Sequence, residues 1–185
     1  MTGSEEEIER RLSGVGRDVL RIFPPEPRAS VPMSALYASV LRTQYGLAPR
    51  VVAGCLWAGS ELAFGVLGPF DGAAVFSGSD VNWDGHAWVT LGPYLIDISL
   101  YRTSRSSRAP AALRQVRTQQ ALRSDFLICK IDEQEALGFL YLPQYVLSED
   151  QIDARALAAL SHASRSPSAN APLPYRERVG LRAAK

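Results

Sequence analysis

The chain has 185 residues, 46% of them hydrophobic and 21% charged, and its 20 Lys and Arg against 19 Asp and Glu leave a formal charge of +1. A chain of this size and balance can bury roughly 70% of its unfolded surface in one core, which excludes disordered and fibrous classes and removes any need for disulfide staples. No apolar run approaches the roughly 18 residues that a membrane-spanning helix requires.

The acidic, polar start from Met1 to Glu9 lacks the basic region and apolar core of a Sec signal peptide. The expected location is therefore the cytoplasm, or outside the cell by a route without a cleaved signal. Ser4, with Glu7 three residues on, forms a capping-box signal. Behind it Ile8, Leu12, Val15, Val19, Ile22 and Phe23 keep the three-and-four spacing of an amphipathic helix, which Pro24, Pro25 and Pro27 stop. A second helix is predicted from about Ser30 to Tyr45, with Leu36, Val40 and Leu41 on one side and Gly46 at its C-cap.

After Pro49 the pattern turns to strands, at residues 50–57 and 62–67. Residues 68–85 hold four glycines and read as a long connection with one short strand at 74–76. Residues 86–91 and 94–100 flank Gly92-Pro93 as a hairpin. The Arg/Ser cluster 102–108 reads as a loop and residues 111–122 as a helix with Leu113 and Val116 inward. Two further strands follow at 126–131 and 137–142. Ser148 and Gln151 form a second capping box, opening a helix with Ile152, Leu157 and Leu160 along one side.

The fold class is therefore α+β, with N-terminal helices packed on an antiparallel β-sheet in a single domain over residues 1–160. Residues 161–185 form a basic tail without apolar periodicity, read as a flexible, solvated terminus in preference to an electrostatic arm. From residue 163 on, five basic residues face Glu177 alone, so the tail carries +4 and the body −3. That body offers no phosphate-binding face, and no Gly-rich phosphate loop follows a strand, so neither nucleic acid nor a nucleotide is the expected partner. Two cysteines, Cys55 and Cys129, and two histidines, His86 and His162, show no ligand-pair spacing, and no metal or cofactor is expected. The sequence carries no signal of oligomeric state.

The hairpin concentrates the chemistry. A turn centred between Leu91 and Gly92 sets Thr90 against Pro93, Trp88 against Leu95 and His86 against Asp97. Cross-strand neighbours stand roughly 5 Å apart at Cβ, so the carboxylate can hold one ring nitrogen and leave the other free as a base. The alternative is a half-buried strand histidine with an incidental neighbour. Asn82, or another polar group before His86, is a candidate to complete an oxyanion hole. Trp83 and Trp88 either wall a cleft or belong to the core.

Gly85-His86-Ala87-Trp88-Val89, a turn, and a strand ending in Ile96-Asp97 resemble the His and Asp motifs of transglutaminase-like domains, which share the papain-like cysteine-enzyme fold. The upstream pieces are similar as well: a helix with Leu41-Arg42, the turn Gly46-Leu47-Ala48-Pro49-Arg50, and a strand ending in Val51-Val52-Ala53-Gly54. The likeness runs from about Ser30 to Leu100, and the spacing of eleven from His86 to Asp97 also resembles a small uncharacterised bacterial family. It implies a nucleophile–His–Asp triad acting on a protein or peptide amide, with His86 as base and acid and Asp97 orienting it. Water as acceptor implies a peptidase or deamidase, and an amine implies a transglutaminase or acyltransferase.

In these relatives the nucleophilic cysteine stands at a helix N-terminus, where free amides and the helix dipole favour thiolate. The matching position here is Ser30. Four readings of it stand open: a replaced catalytic cysteine, engineered or natural, that silences the enzyme; a non-catalytic peptide-binding or protein-binding domain; a working serine; or a plain N-cap, with Ser34 one turn on as the alternative hydroxyl. Loss of a cysteine is favoured over an active serine, because an alcohol is far less acidic than a thiol. Cys55 copies the family's order of nucleophile, His and Asp, yet lies in a strand with no helix end to lower its pKa. An enzyme using Cys55 is the remaining alternative.

Overall fold

The computed structural model describes residues 5–23, 29–78, 83–115 and 124–163. Ser4 of the first capping box, Asn82, Val116 and the tail from residue 164 lie outside them. Three glutamates open α1 (Glu5–Ile22), where free backbone amides favour negative charge, and Leu12, Val15, Val19, Leu20 and Ile22 form its buried side. Helix α2 (Ser30–Tyr45) matches the predicted span. Pro32 falls in its first turn, where no amide proton is needed. At the far end Gly46 adopts φ +63, and the amides of Gly46 and Leu47 turn back onto the carbonyls of Arg42 and Leu41. Buried residues ring α2 because α1, α6 (Glu149–Ala163) and the sheet all pack on it.

The strands β1 (Arg50–Ala58), β2 (Glu61–Phe64), β3 (His86–Leu91), β4 (Tyr94–Asp97), β5 (Leu127–Lys130) and β6 (Phe139–Val146) form one antiparallel sheet. Its order is β2-β1-β3-β4-β5, with β6 against the remaining side of β1. Helices packed on this sheet make the α+β class predicted. Alternation along β3 sends Ala87 and Val89 towards α2, into a core with Leu36, Val40, Val51, Ala53 and Ile96. Trp88 points the other way, into a second core with Leu95, Leu127, Cys129 and Tyr141, closed by α4 (Leu100–Arg105) and α5 (Ala111–Gln115). Covered on both faces, β1 is buried almost throughout.

Gly54 marks the tightest point of this sheet. It lies at the irregularity where β6 passes with Pro143, and a Cβ there would come within 2.1 Å of the Leu142 carbonyl oxygen and 3.0 Å of the Trp88 ring. Backbone on one side and a packed indole on the other leave no room to relax. Gly54→Ala is therefore expected to lower stability by about 3 kcal/mol, seen as a lower urea midpoint at unchanged slope.

Several elements differ from expectation: β6 runs over residues 139–146 rather than 137–142, and α6 continues to Ala163, past the expected start of the tail at 161. The short strand predicted at 74–76 is a helix, α3 (Gly72–Val75), because Asp71 Oδ1 caps it by accepting the Ala74 amide proton at 3.0 Å. The hairpin's second strand stops at Asp97 rather than 100, and the predicted Arg/Ser loop begins instead with α4. Arg102 on α4 donates to the carbonyls of Leu20 and Phe23, tying it to the end of α1. Near the C-terminus the second capping box forms in both directions, with Gln151 N–H donating to Ser148 Oγ at 3.3 Å and Ser148 N–H to Gln151 Oε1 at 2.9 Å. Among the described residues no helix is long and apolar enough to cross a membrane.

Candidate active site

His86 begins β3 and Asp97 ends β4, and alternation puts both on the Trp88 side of the sheet. The hairpin ladder pairs Leu91 with Tyr94, Thr90 with Leu95 and Val89 with Ile96. Gly92, at φ +54, and Pro93 thus make a two-residue turn whose twist suits the strands. The predicted register, with His86 directly opposite Asp97, is corrected by two residues. A slip of one would have moved Asp97 to the other face, whereas a slip of two keeps it on the same face as His86. The two side chains meet diagonally.

They meet closely. His86 Nε2 lies 2.5 Å from Asp97 Oδ2, with the two side chains 2% and 0% exposed. The other carboxylate oxygen, Oδ1, accepts the Ser99 amide at 3.0 Å, the Ser99 hydroxyl at 3.1 Å and the Leu100 amide at 2.9 Å. These bonds start α4 and anchor Oδ1 there. Oδ2 also accepts the Tyr141 hydroxyl at 2.8 Å. An ionised carboxylate only accepts, so Nε2 carries a proton and Nδ1 is the basic nitrogen of the neutral ring. The Phe64 ring stacks on the imidazole, 5.2 Å between centroids and 17° from parallel, and limits its rotation.

Helix α2 leads through residues 46–49 into β1, whose Arg50 pairs with Thr90, so α2 runs alongside β3 in the same sense. Ser34 Oγ donates to the Ala87 carbonyl at 3.1 Å. Ser30 stands one turn, about 6 Å, further towards the end where β3 begins. Helix α2, however, packs on the face of the sheet that carries Ala87 and Val89, whereas His86 and Asp97 are on the Trp88 face. Ser30 is buried and is the first helical residue, while Ala29 holds the N-cap position and its side chain makes no cap. The plain N-cap reading of Ser30 is thereby corrected. Among the described residues, the side-chain hydrogen bonds of His86 and Asp97 run to each other and to Tyr141, Ser99 and Leu100, and none runs to Ser30.

Cys55 shares the α2 face of the sheet and sits within a strand. Gly54 pairs with His86, so Cys55, the next residue along β1, faces the opposite side of the sheet from the imidazole. Its thiol rests 3.5 Å from the Val66 carbonyl, and burial pushes its pKa up against the smaller opposing effect of that contact. Cys129 is on the Asp97 side, but burial, aided by Glu133 and Asp97, pushes its pKa up to about 11. Neither thiol is poised as thiolate. Trp88 is core, its ring edge-on to Tyr141 at 5.0 Å, and Trp83 packs on Phe70 and Phe76. Among the described residues no group of three or more His, Cys, Asp or Glu side chains could hold a metal ion.

Sequence reasoning missed three residues of this cluster. Asp97-x-Ser99 is the spacing of an Asx-type turn and could have flagged Ser99. Tyr141 and Phe64 lie in other strands, and no local pattern points to them.

No family model and no curated protein matches the chain. Among solved structures it is similar to "The crystal structure of genomics APC5867", at 15% identity and a TM-score of 0.47, over 80% of this chain and 78% of that one.

Proposed function

We propose that this chain is a transglutaminase-like domain built for acyl chemistry on a protein or peptide amide, with position 30 as the nucleophile site, His86 as general base and acid, and Asp97 as its orienting partner. The observation that carries this reading is the buried His86–Asp97 pair at 2.5 Å, held by Nε2 so that Nδ1 is the basic nitrogen. Position 30 also stands at the start of α2, where free amides favour a thiolate and then an oxyanion. The reading requires Nδ1 to reach it around the start of β3 from the other face. In the parent chemistry Nδ1 takes the proton of the nucleophile, the acyl group passes to position 30, and the imidazolium protonates the departing amine. Water or an amine then attacks the acyl-enzyme, giving hydrolysis, deamidation or transfer. With serine at position 30 the thiol step is silent.

Replacing Ser30 by Cys tests this directly. A thiol-directed amide-type probe is expected to label position 30 of the Ser30→Cys protein rapidly, and His86→Ala in that background should remove the rapid labelling. Labelling confined to Cys55, or labelling at position 30 that ignores His86, would overturn the assignment. The serine itself favours a second reading, a peptide-binding module that keeps the fold without the chemistry. That reading gains if the unmodified protein captures extended peptides while Ser30→Cys stays unlabelled.

A further inference from the structure

We infer that Tyr141 is a positioning residue of the His86–Asp97 pair: its hydroxyl, by donating to Oδ2, holds that oxygen in the orientation that accepts the proton on Nε2 and keeps Nδ1 basic. The inference rests on His86 acting as the base, but its geometry stands without that reading. Five donors converge on one fully buried carboxylate, three on Oδ1 and two on Oδ2. Two of the three on Oδ1 are backbone amides that open α4, so that oxygen cannot turn towards the ring. Oδ2 alone faces His86, and Tyr141 is its second partner.

The strand framework makes Tyr141 suited to this. It lies on β6 opposite Leu56, its amide donates to Gln134 Oε1 at 2.8 Å, and its ring packs against Trp88 and, at 6.3 Å, beside His86. The side chain is 4% exposed, which leaves little room for water to replace the phenol. Burial first, and then the neighbouring Asp97 charge, push its pKa well above the ordinary tyrosine value. It therefore stays a donor. A merely structural tyrosine would satisfy the carboxylate without setting the proton position on His86.

Nitrogen-resolved NMR of the His86 ring distinguishes the two without any substrate. The wild-type protein should show a single Nε2–H tautomer with a far-downfield, slowly exchanging proton. Tyr141→Phe keeps the ring packing and loses only the donor. Exchange of the Nε2 proton is then expected to speed up about tenfold, the scale of one lost charge-assisted hydrogen bond, with a mixed tautomer signal. An unchanged His86 signal in a folded Tyr141→Phe protein overturns the inference. Should Tyr141→Phe not fold, 3-fluorotyrosine placed at position 141 strengthens the donor. The Nε2–H resonance should then move, and no movement overturns the inference. If these signals behave as expected while Ser30→Cys stays unlabelled, the acyl-transfer reading fails and the role of Tyr141 stands.

Discussion

Asp97→Asn in the Ser30→Cys background is expected to slow probe labelling at position 30 by at least about a hundredfold while leaving the fold in place. The reasoning lies in the donors around the carboxylate. An asparagine offers one oxygen and one NH2, where Asp97 offers two acceptors. If the NH2 took the place of Oδ1, it would face the amides of Ser99 and Leu100, two backbone donors that cannot reverse. The oxygen must therefore stay at the start of α4, and the NH2 must turn to His86 and Tyr141. Nε2 then has to accept rather than donate, which moves the ring proton to Nδ1, the nitrogen the chemistry needs bare. The α4 contacts and the packing against Tyr141 survive, so circular dichroism should be unchanged while NMR reports the inverted tautomer. Unchanged labelling with an inverted tautomer would show that His86 is not the base.

The helix and hairpin skeleton of this site is legible in the sequence because its signals are local. Gly46 ends α2, and Gly92-Pro93 announces the turn of the hairpin. The register is less legible, since two turn placements one residue apart differ in register by two and leave the same hydrophobic pattern on the same faces. That degeneracy is also why the pairing of His86 with Asp97 survives the correction. α4 escapes local reading because its Arg/Ser sequence has no apolar period. It forms because Asp97 takes its first amides and Arg102 reaches the end of α1, 79 and 82 residues away. The same holds for Tyr141, 44 residues from the carboxylate it touches and joined to it only through the pairing of β6 with β1. Cys55 illustrates the reverse case. Its order along the chain suggests a nucleophile, yet one residue of strand parity turns it away from the imidazole.

The groups packed around Asp97 also set a limit on alkaline stability. Burial, reinforced by Asp97, pushes Tyr101 up to about 12 from an ordinary value of 10. Burial and nearby acids push Cys129 up to about 11 from 9, and Tyr141 is raised in the same direction. In each case the fold holds the neutral form. Below the ordinary values both the folded and the unfolded chain are protonated, and the stability these groups contribute is complete. Above them the unfolded chain releases its protons while the folded chain keeps them, so stability falls as pH rises: through the window 9 to 11 for Cys129 and 10 to 12 for Tyr101. Each group costs about 1.4 kcal/mol per pH unit inside its window. Together the three should remove on the order of 5 kcal/mol by about pH 11, comparable with the whole stability of a weakly stable domain. Urea unfolding between about pH 8 and about pH 11 should therefore show a steep decline. Cys129→Ala should flatten its first part by about one proton's slope. Stability that holds level across this range, or a decline that Cys129→Ala leaves untouched, would mean that water reaches these groups in the folded protein, and the dry, five-donor environment assigned to Asp97 would be wrong with it.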